Sequence, residues 1–169
     1  VRGDLHVVFK WVGFGTGGAG HSHADVLSLM IRLGDDELLI DPGTYTYMED
    51  PVQRDWFRSV AAHNTLRIDG LNQASPETPF RWGAKPETFQ LGPWNAAIRY
   101  AGFMHRRHID FSQSNKLIVE DTVEGPDGEH TIEQLWHAGA MFETHARLRV
   151  DSTFQVQQGT GSDFGWRSP

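Results

Sequence analysis

Cysteine is absent from the 169 residues. This excludes a disulfide scaffold, thiolate metal sites and a Cys nucleophile, and leaves any metal site to His, Asp or Glu. It does not fix the compartment, since many exported proteins also lack Cys. No apolar run approaches the length needed to span a membrane, and helix-period stretches, internal repeats and low-complexity tracts are missing or nearly so. Excess positive charge is lacking too. The formal net charge of -7 speaks against nucleic acid or an anionic membrane as partner, because both need clustered Lys and Arg to displace counterions. An acidic polysaccharide would also be repelled at long range, so such a substrate needs a local basic lining. Arg54, Arg58, Arg67, Arg81 and the Arg106-Arg107 pair are the candidates.

What is present is a series of short alternating or apolar segments divided by turn residues, the pattern of an antiparallel β-sandwich. Strands are expected over 6–11, 26–33, 37–41, 65–70, 87–91, 97–102, 106–111, 116–123, 130–136 and 154–158. Gly34-Asp35-Asp36 should turn the second into the third, Asp41-Pro42-Gly43 should end the third, and Pro126-Asp127-Gly128 suits a hairpin turn. One short helix is expected between 49 and 62, with Asp50 as N-cap, Pro51 at the first helical position and Val52, Trp56 and Val60 on its apolar side. A loop is expected from Gly70 to about Pro79. The whole of 1–169 reads as one sandwich domain, and its opening on Val1-Arg2-Gly3-Asp4 carries the expectation that it is an excerpt of a longer protein.

Gly13-Phe14-Gly15-Thr16-Gly17-Gly18 formally matches a dinucleotide fingerprint, which requires a following helix to face the pyrophosphate. Here Ala-Gly-His-Ser-His follows, and no βαβ alternation. The glycines between Gly13 and Gly20 are better read as a flexible or closely packed loop beside a ligand groove.

His21-Ser22-His23 is the strongest local signal, because residues two apart on an extended chain share a face. Asp41 follows an apolar run, where a carboxylate needs a cation, a cap or a metal, and His63-Asn64 follows the helix. Two imidazoles and a carboxylate, with water or substrate in a fourth position, suit zinc. A cupin also uses His-x-His, but it wants a Glu a few residues on, where this chain has Val26-Leu27-Ser28-Leu29. A non-catalytic carbohydrate-binding or architectural sandwich is the other alternative. His105, His108, His130, His137 and His145 fall in no such block and read as ordinary strand or surface histidines.

Three ordered blocks carry a more specific resemblance. Gly20-His21-Ser22-His23-Ala24-Asp25, Ile40-Asp41-Pro42-Gly43-Thr44-Tyr45-Thr46-Tyr47, and Arg58-Ser59-Val60-Ala61-Ala62-His63-Asn64-Thr65 with Asp69-Gly70-Leu71-Asn72-Gln73 resemble the core signature of the heparinase II/III-like family. The resemblance is clearest over 7–73. It implies that His23, Asp41 and His63 bind a mainly structural zinc, that His21 is catalytic, and that the reaction is β-elimination in a uronic-acid-containing polysaccharide, glycosaminoglycan or alginate-like. It also implies a bacterial, periplasmic or secreted protein whose acid–base Tyr, with an assisting Asn and His, comes from an N-terminal helical toroid. This chain has no such helical repeats and should be catalytically incomplete alone. Tyr45, Tyr47, Arg54, Arg58 and Asn64 are the candidate substrate-binding residues. The two arginines lie four apart on the helix and so share a face that suits sugar carboxylates, unless Asp50 or Asp55 occupies them.

Overall fold

The computed structural model describes residues 4–113 and 116–150, together with the backbone of two strands at 160–162 and 165–167. The chain runs β1 (Leu5–Phe9), β2 (Leu29–Leu33), β3 (Asp36–Leu39), α1 (Pro51–Phe57), β4 (Leu66–Ile68), β5 (Pro76–Thr78), β6 (Arg81–Trp82), β7 (Glu87–Gly92), β8 (Asn95–Tyr100), β9 (Phe103–Asp110), β10 (Ile118–Glu124), β11 (Ile132–Gln134), α2 (Phe142–His145), β12 (Thr160–Ser162) and β13 (Gly165–Arg167). Every strand pair is antiparallel. One sheet has the order β1-β2-β3 and the other β10-β9-β8-β7, with β11-β4, β5-β6 and β12-β13 as separate ribbons. This is the expected all-β sandwich. The expected strand at 154–158 lies outside the described residues, and among those described no helix is long and apolar enough to cross a membrane.

The core follows from the period-two alternation of the strands. Along β9, Phe103, His105, Arg107 and Ile109 are buried, whereas Met104, Arg106, His108 and Asp110 are not. Phe103 meets Val26, Leu27, Ile68, Ile98 and Tyr100 in one cluster, and Ile109 meets Leu29 and Leu39 in another. A fully buried Leu or Ile contributes about 1.5–3 kcal/mol by leaving water, so these clusters hold the two sheets face to face. The same alternation turns one arginine inward. Arg107 is fully buried, makes a bidentate pair with Asp121 at 2.8 and 2.9 Å, and lies 5.2 Å from the Trp136 ring centre.

Three expectations need correction. The apolar run 26–33 is strand only from Leu29 onward. Leu27 takes φ +66°, and distant side chains bind the backbone of Val26: Gln73 accepts from its N–H and donates to its carbonyl, which also receives the Thr65 hydroxyl. The turn at Pro126-Asp127-Gly128 makes no hairpin, since β10 pairs with β9 while β11 pairs with β4. The expected loop before Pro79 ends instead in the β5-β6 hairpin. The helix begins as expected, with the Asp50 carboxylate accepting from Val52 and Gln53 N–H at 3.0 Å each and Pro51 opening the first turn. It ends at Phe57, and a 3-10 turn over Val60–Ala62 carries the chain to His63.

Candidate active site and metal centre

The loop before β2 presents His21 and His23, the loop after β3 presents Asp41, and the 3-10 turn after α1 delivers His63. A small cleft is lined by Gly20, His21, Ser22, His23, Thr44, Tyr47, Arg54, Arg58 and Pro79 and encloses about 20 Å³. His21 is exposed and His23 is half-buried. The His21 ring meets Tyr47 edge-on at 5.9 Å and lies 6.2 Å from Phe80.

The β5-β6 hairpin forms one wall and is held in three ways. Trp82 donates its indole N–H to the Ser22 carbonyl at 2.8 Å. Arg58 donates to the carbonyls of Thr78 and Pro79 at 3.1 Å each and stacks over Trp82. Gly20 lies so close to Phe80 that an added Cβ would sit 2.7 Å from the Phe80 carbonyl oxygen. Gly20→Ala must therefore push hairpin and His21 loop apart. We expect a loss of about 1–3 kcal/mol, the usual cost of overpacking, read as a lower thermal midpoint; an unchanged melt would show that the contact is slack. The glycine-rich stretch is thus a packing seat, in agreement with the closely packed alternative.

Arg54 and Arg58 line the cleft, but their donors are largely committed within the protein. Both bind Asp55, at 3.1 Å from Arg54 Nε and 2.9 Å from Arg58 Nε. Burial pushes the Asp55 carboxyl up, but the hydrogen bonds and charges of the two arginines outweigh it and hold the group below its ordinary range. Two guanidinium groups against one carboxylate leave one net positive charge beside His21. The expected bidentate contact of Arg58 with a sugar carboxylate is corrected, since Arg58 is the hairpin's clamp. Arg54, whose remaining contact is the Tyr47 carbonyl at 3.4 Å, is the better placed to meet a ligand.

Of the other candidates for substrate contact, Tyr47 lines the cleft. Tyr45 does not; at φ +61° it stacks on Phe57 with ring centres 5.0 Å apart. Asn64 is corrected outright, because it is fully buried and its amide is spent on the backbone. It donates to the Leu29 and Ile40 carbonyls at 2.8 Å each and accepts from the His137 N–H at 2.5 Å. Elsewhere, Arg67 pairs with Glu133, Arg81 with Glu77, Arg107 with Asp121, and Arg106 binds Asn95. None of these four lines the cleft.

Behind the cleft, His63 Nδ1 lies 2.7 Å from Asp41 Oδ2, and the Gly43 N–H donates to Asp41 Oδ1 at 2.9 Å. Burial pushes the Asp41 carboxyl up, and the His63 and Gly43 bonds outweigh it, so it is held below its usual range. His63 Nε2 is buried without a hydrogen-bond partner. Because His63 Nδ1 faces Asp41 Oδ2, it is Nδ1, once it gives up its proton, that could share an ion with that carboxylate, while Nε2 faces away from it. The His23 ring lies 5.3 Å from that of His63. Burial, then the neighbouring His63, lowers the His23 pKa, while Asp25 and Asp41 oppose this and Lys10 adds to it. His23 is thereby kept neutral, the form that ligates.

The donor set fits zinc. Ligating atoms of Asp25, Asp41 and His63 lie within 4.8 Å of one another. Donors each about 2.0–2.2 Å from one ion are at most about 4.4 Å apart, so only small adjustments are needed. Of the three ligands expected from the sequence, Asp41 and His63 fall in this group; its third member is Asp25, and His23 lies beside it. His137, read from the sequence as an ordinary histidine, is buried, and the charges of His63 and Asp41 act on it. For Asp25 a signal existed, since it continues the two-residue spacing of His21 and His23. For His137 there was none.

The family model described as "Heparinase II/III-like, C-terminal" matches residues 2–169. No curated protein matches the chain. Among solved structures, a heparinase III gene product is similar at 20% identity over 91% of this chain and 24% of its own, with a TM-score of 0.57. Heparan sulfate lyase HepC from Pedobacter heparinus is similar at 19% identity over 78% of this chain and 20% of its own, also with a TM-score of 0.57. These likenesses show the fold. The chain spans about a quarter or less of the length of either structure.

Proposed function

Because the chain belongs to the heparinase II/III-like family, matching its C-terminal part, we propose that it is the β-sandwich portion of a polysaccharide lyase. It would cleave uronic-acid-containing chains by β-elimination, as part of a longer periplasmic or secreted protein with an N-terminal helical domain. The observation that carries the proposal is an exposed His21 in a cleft with one uncompensated positive charge, directly in front of a metal-competent centre.

In β-elimination a base removes the C5 proton, the C4–O bond breaks, a C4–C5 double bond forms, and the leaving oxygen takes up a proton. Negative charge builds on the neighbouring carboxylate as the C5–H bond breaks, so a cation held in place there lowers the barrier. Arg54 supplies that cation, with Asp55 fixing its orientation. His21 can donate to or accept from the reacting oxygen, since an imidazole does either near neutral pH. Zinc, held by His23, Asp41 and His63, would supply a fixed cross-link among the three loops behind His21. A cleft of about 20 Å³ has room for roughly one water, not a sugar ring. On this reading the glycan site therefore extends beyond this cleft, onto the helical domain proposed above.

The test uses the whole protein that carries this domain, incubated with uronate polysaccharides while absorbance of the unsaturated product is followed. We expect turnover that His21→Ala slows by about a hundredfold or more, and no product from this chain alone. Product formed rapidly by the isolated chain would remove the need for a second domain. Glycan binding by the whole protein without any unsaturated product would favour a carbohydrate-binding sandwich instead.

A further inference from the structure

Asp25 stands outside the ligand set that the family resemblance implies, yet its carboxylate reaches the same centre as Asp41 and His63. Its carboxylate is 15% exposed and is held by the ammonium group of Lys10, itself 34% exposed. Lys10 sits where β1 ends, and its backbone N–H and carbonyl bond Ser28 and Leu27, which fixes it against the His23 loop. Two carboxylates within ligand distance of each other repel unless each has a positive partner. Here Lys10 serves Asp25 and the His63 N–H serves Asp41. The group also contains a nitrogen donor, the fully buried His63, whose Nδ1 lies 2.7 Å from Asp41 Oδ2.

We infer that Asp25 is a further carboxylate ligand of the metal centre and that Lys10 is its resident counter-ion in the metal-free state, displaced when a divalent cation binds. The inference rests on the reading that this centre takes a metal. A divalent cation balances both carboxylates by itself, so Lys10 becomes a surplus charge, repelled by the ion and released towards solvent. Bound metal then sees two imidazoles and two carboxylates, an oxygen-rich set compared with the three-ligand assignment. Lys10 lowers affinity by competing, and it keeps the empty site folded.

The test is a zinc titration of this chain in competition with a chromophoric chelator, comparing the unaltered protein with Asp25→Asn, Lys10→Met and His63→Ala. We expect Asp25→Asn to weaken zinc by about tenfold or more, a typical cost of losing a ligand or its close support, and Lys10→Met to tighten it several-fold. As a measurement that needs no variant, an amine-reactive reagent read out on the Lys10 peptide by mass spectrometry should label it several-fold faster with zinc than with chelator. If zinc affinity is unmoved by Asp25→Asn and Lys10→Met but lost in His63→Ala, the metal reading stands and this inference falls. If His63→Ala binds zinc like the unaltered chain, both fall. Lys10 labelling indifferent to zinc would overturn the displacement even if Asp25→Asn failed to fold.

Discussion

Arg107→Met is expected to lower the unfolding free energy by about 3–5 kcal/mol, the range for removing one partner of a buried ion pair, as measured by urea unfolding. The guanidinium is fully buried and fills four acceptor positions at once. Two are the Asp121 oxygens, and the others are the carbonyls of Leu27 and Asn64 at 2.8 and 2.6 Å. Without it Asp121 becomes a buried charge with only His105 and Gln134 as partners. Coulombic attraction to Arg107 and the bond from His105 are also what outweigh burial and hold the Asp121 carboxyl far below its ordinary range. Removing both members of the pair, as Arg107→Met with Asp121→Leu, should cost less than the sum of the two single changes, because the uncompensated charge goes with its partner. Costs that simply add would show that Arg107 acts through its two carbonyl contacts rather than through charge.

The second large effect is acid instability of the chelator-treated protein. Burial, and after it the neighbouring His63, lowers the His137 pKa from 6.5 to about 4, with Asp41 and nearby carbonyls opposing in part. The native state therefore holds His137 neutral over a range in which the unfolded chain binds a proton. The stability this provides is present in full above pH 6.5 and is lost as pH falls towards 4. The interval from 6.5 to about 4, at about 1.4 kcal/mol per pH unit, corresponds to about 3 kcal/mol. His23 and His105 are shifted in the same direction, each with burial as the leading cause, so their contributions carry the same sign. Urea midpoints measured between pH 7 and 4.5 should fall continuously, and His137→Leu should flatten the decline. A midpoint independent of pH above 4.5 would contradict the burial of these rings in neutral form.

What could be read from the sequence was whatever depends on nearest neighbours. Asp50-Pro51 fixed the helix start because a cap and a proline act within one turn. The strand expected at 106–111 is there as β9, which begins earlier, at Phe103, because the cues that mark a strand are local while its ends are not. The break at Leu27 was hidden, since the groups that satisfy Val26 come from Thr65 and Gln73, far along the chain. The β5-β6 hairpin escaped for the same reason: its strands are too short to show a period, and it is held by Gly20, Ser22 and Arg58. At the site, His21, His23, Asp41 and His63 were singled out through spaced blocks, and the fold brings Asp41 and His63 together. Asn64 was misjudged because a polar residue beside a ligand looks alike in sequence whether it faces a substrate or three backbone groups. His137 stayed unnoticed because long-range pairing, of β11 with β4 and of its own backbone with Ile40 and Asn64, carries that segment to the centre.

The close seating of Phe80 on Gly20 has a consequence for how the cleft would respond to a ligand. With no side chain to act as a cushion, with Trp82 bonding Ser22, and with Arg58 donating to Pro79 while its carbonyl accepts from the Ala24 N–H, hairpin and His21 loop form one lever rather than two independent flaps. Pressure on the exposed face of Phe80 is then transmitted to the imidazole. Whatever surface rests on the hairpin tip would set the aim of His21 without touching it.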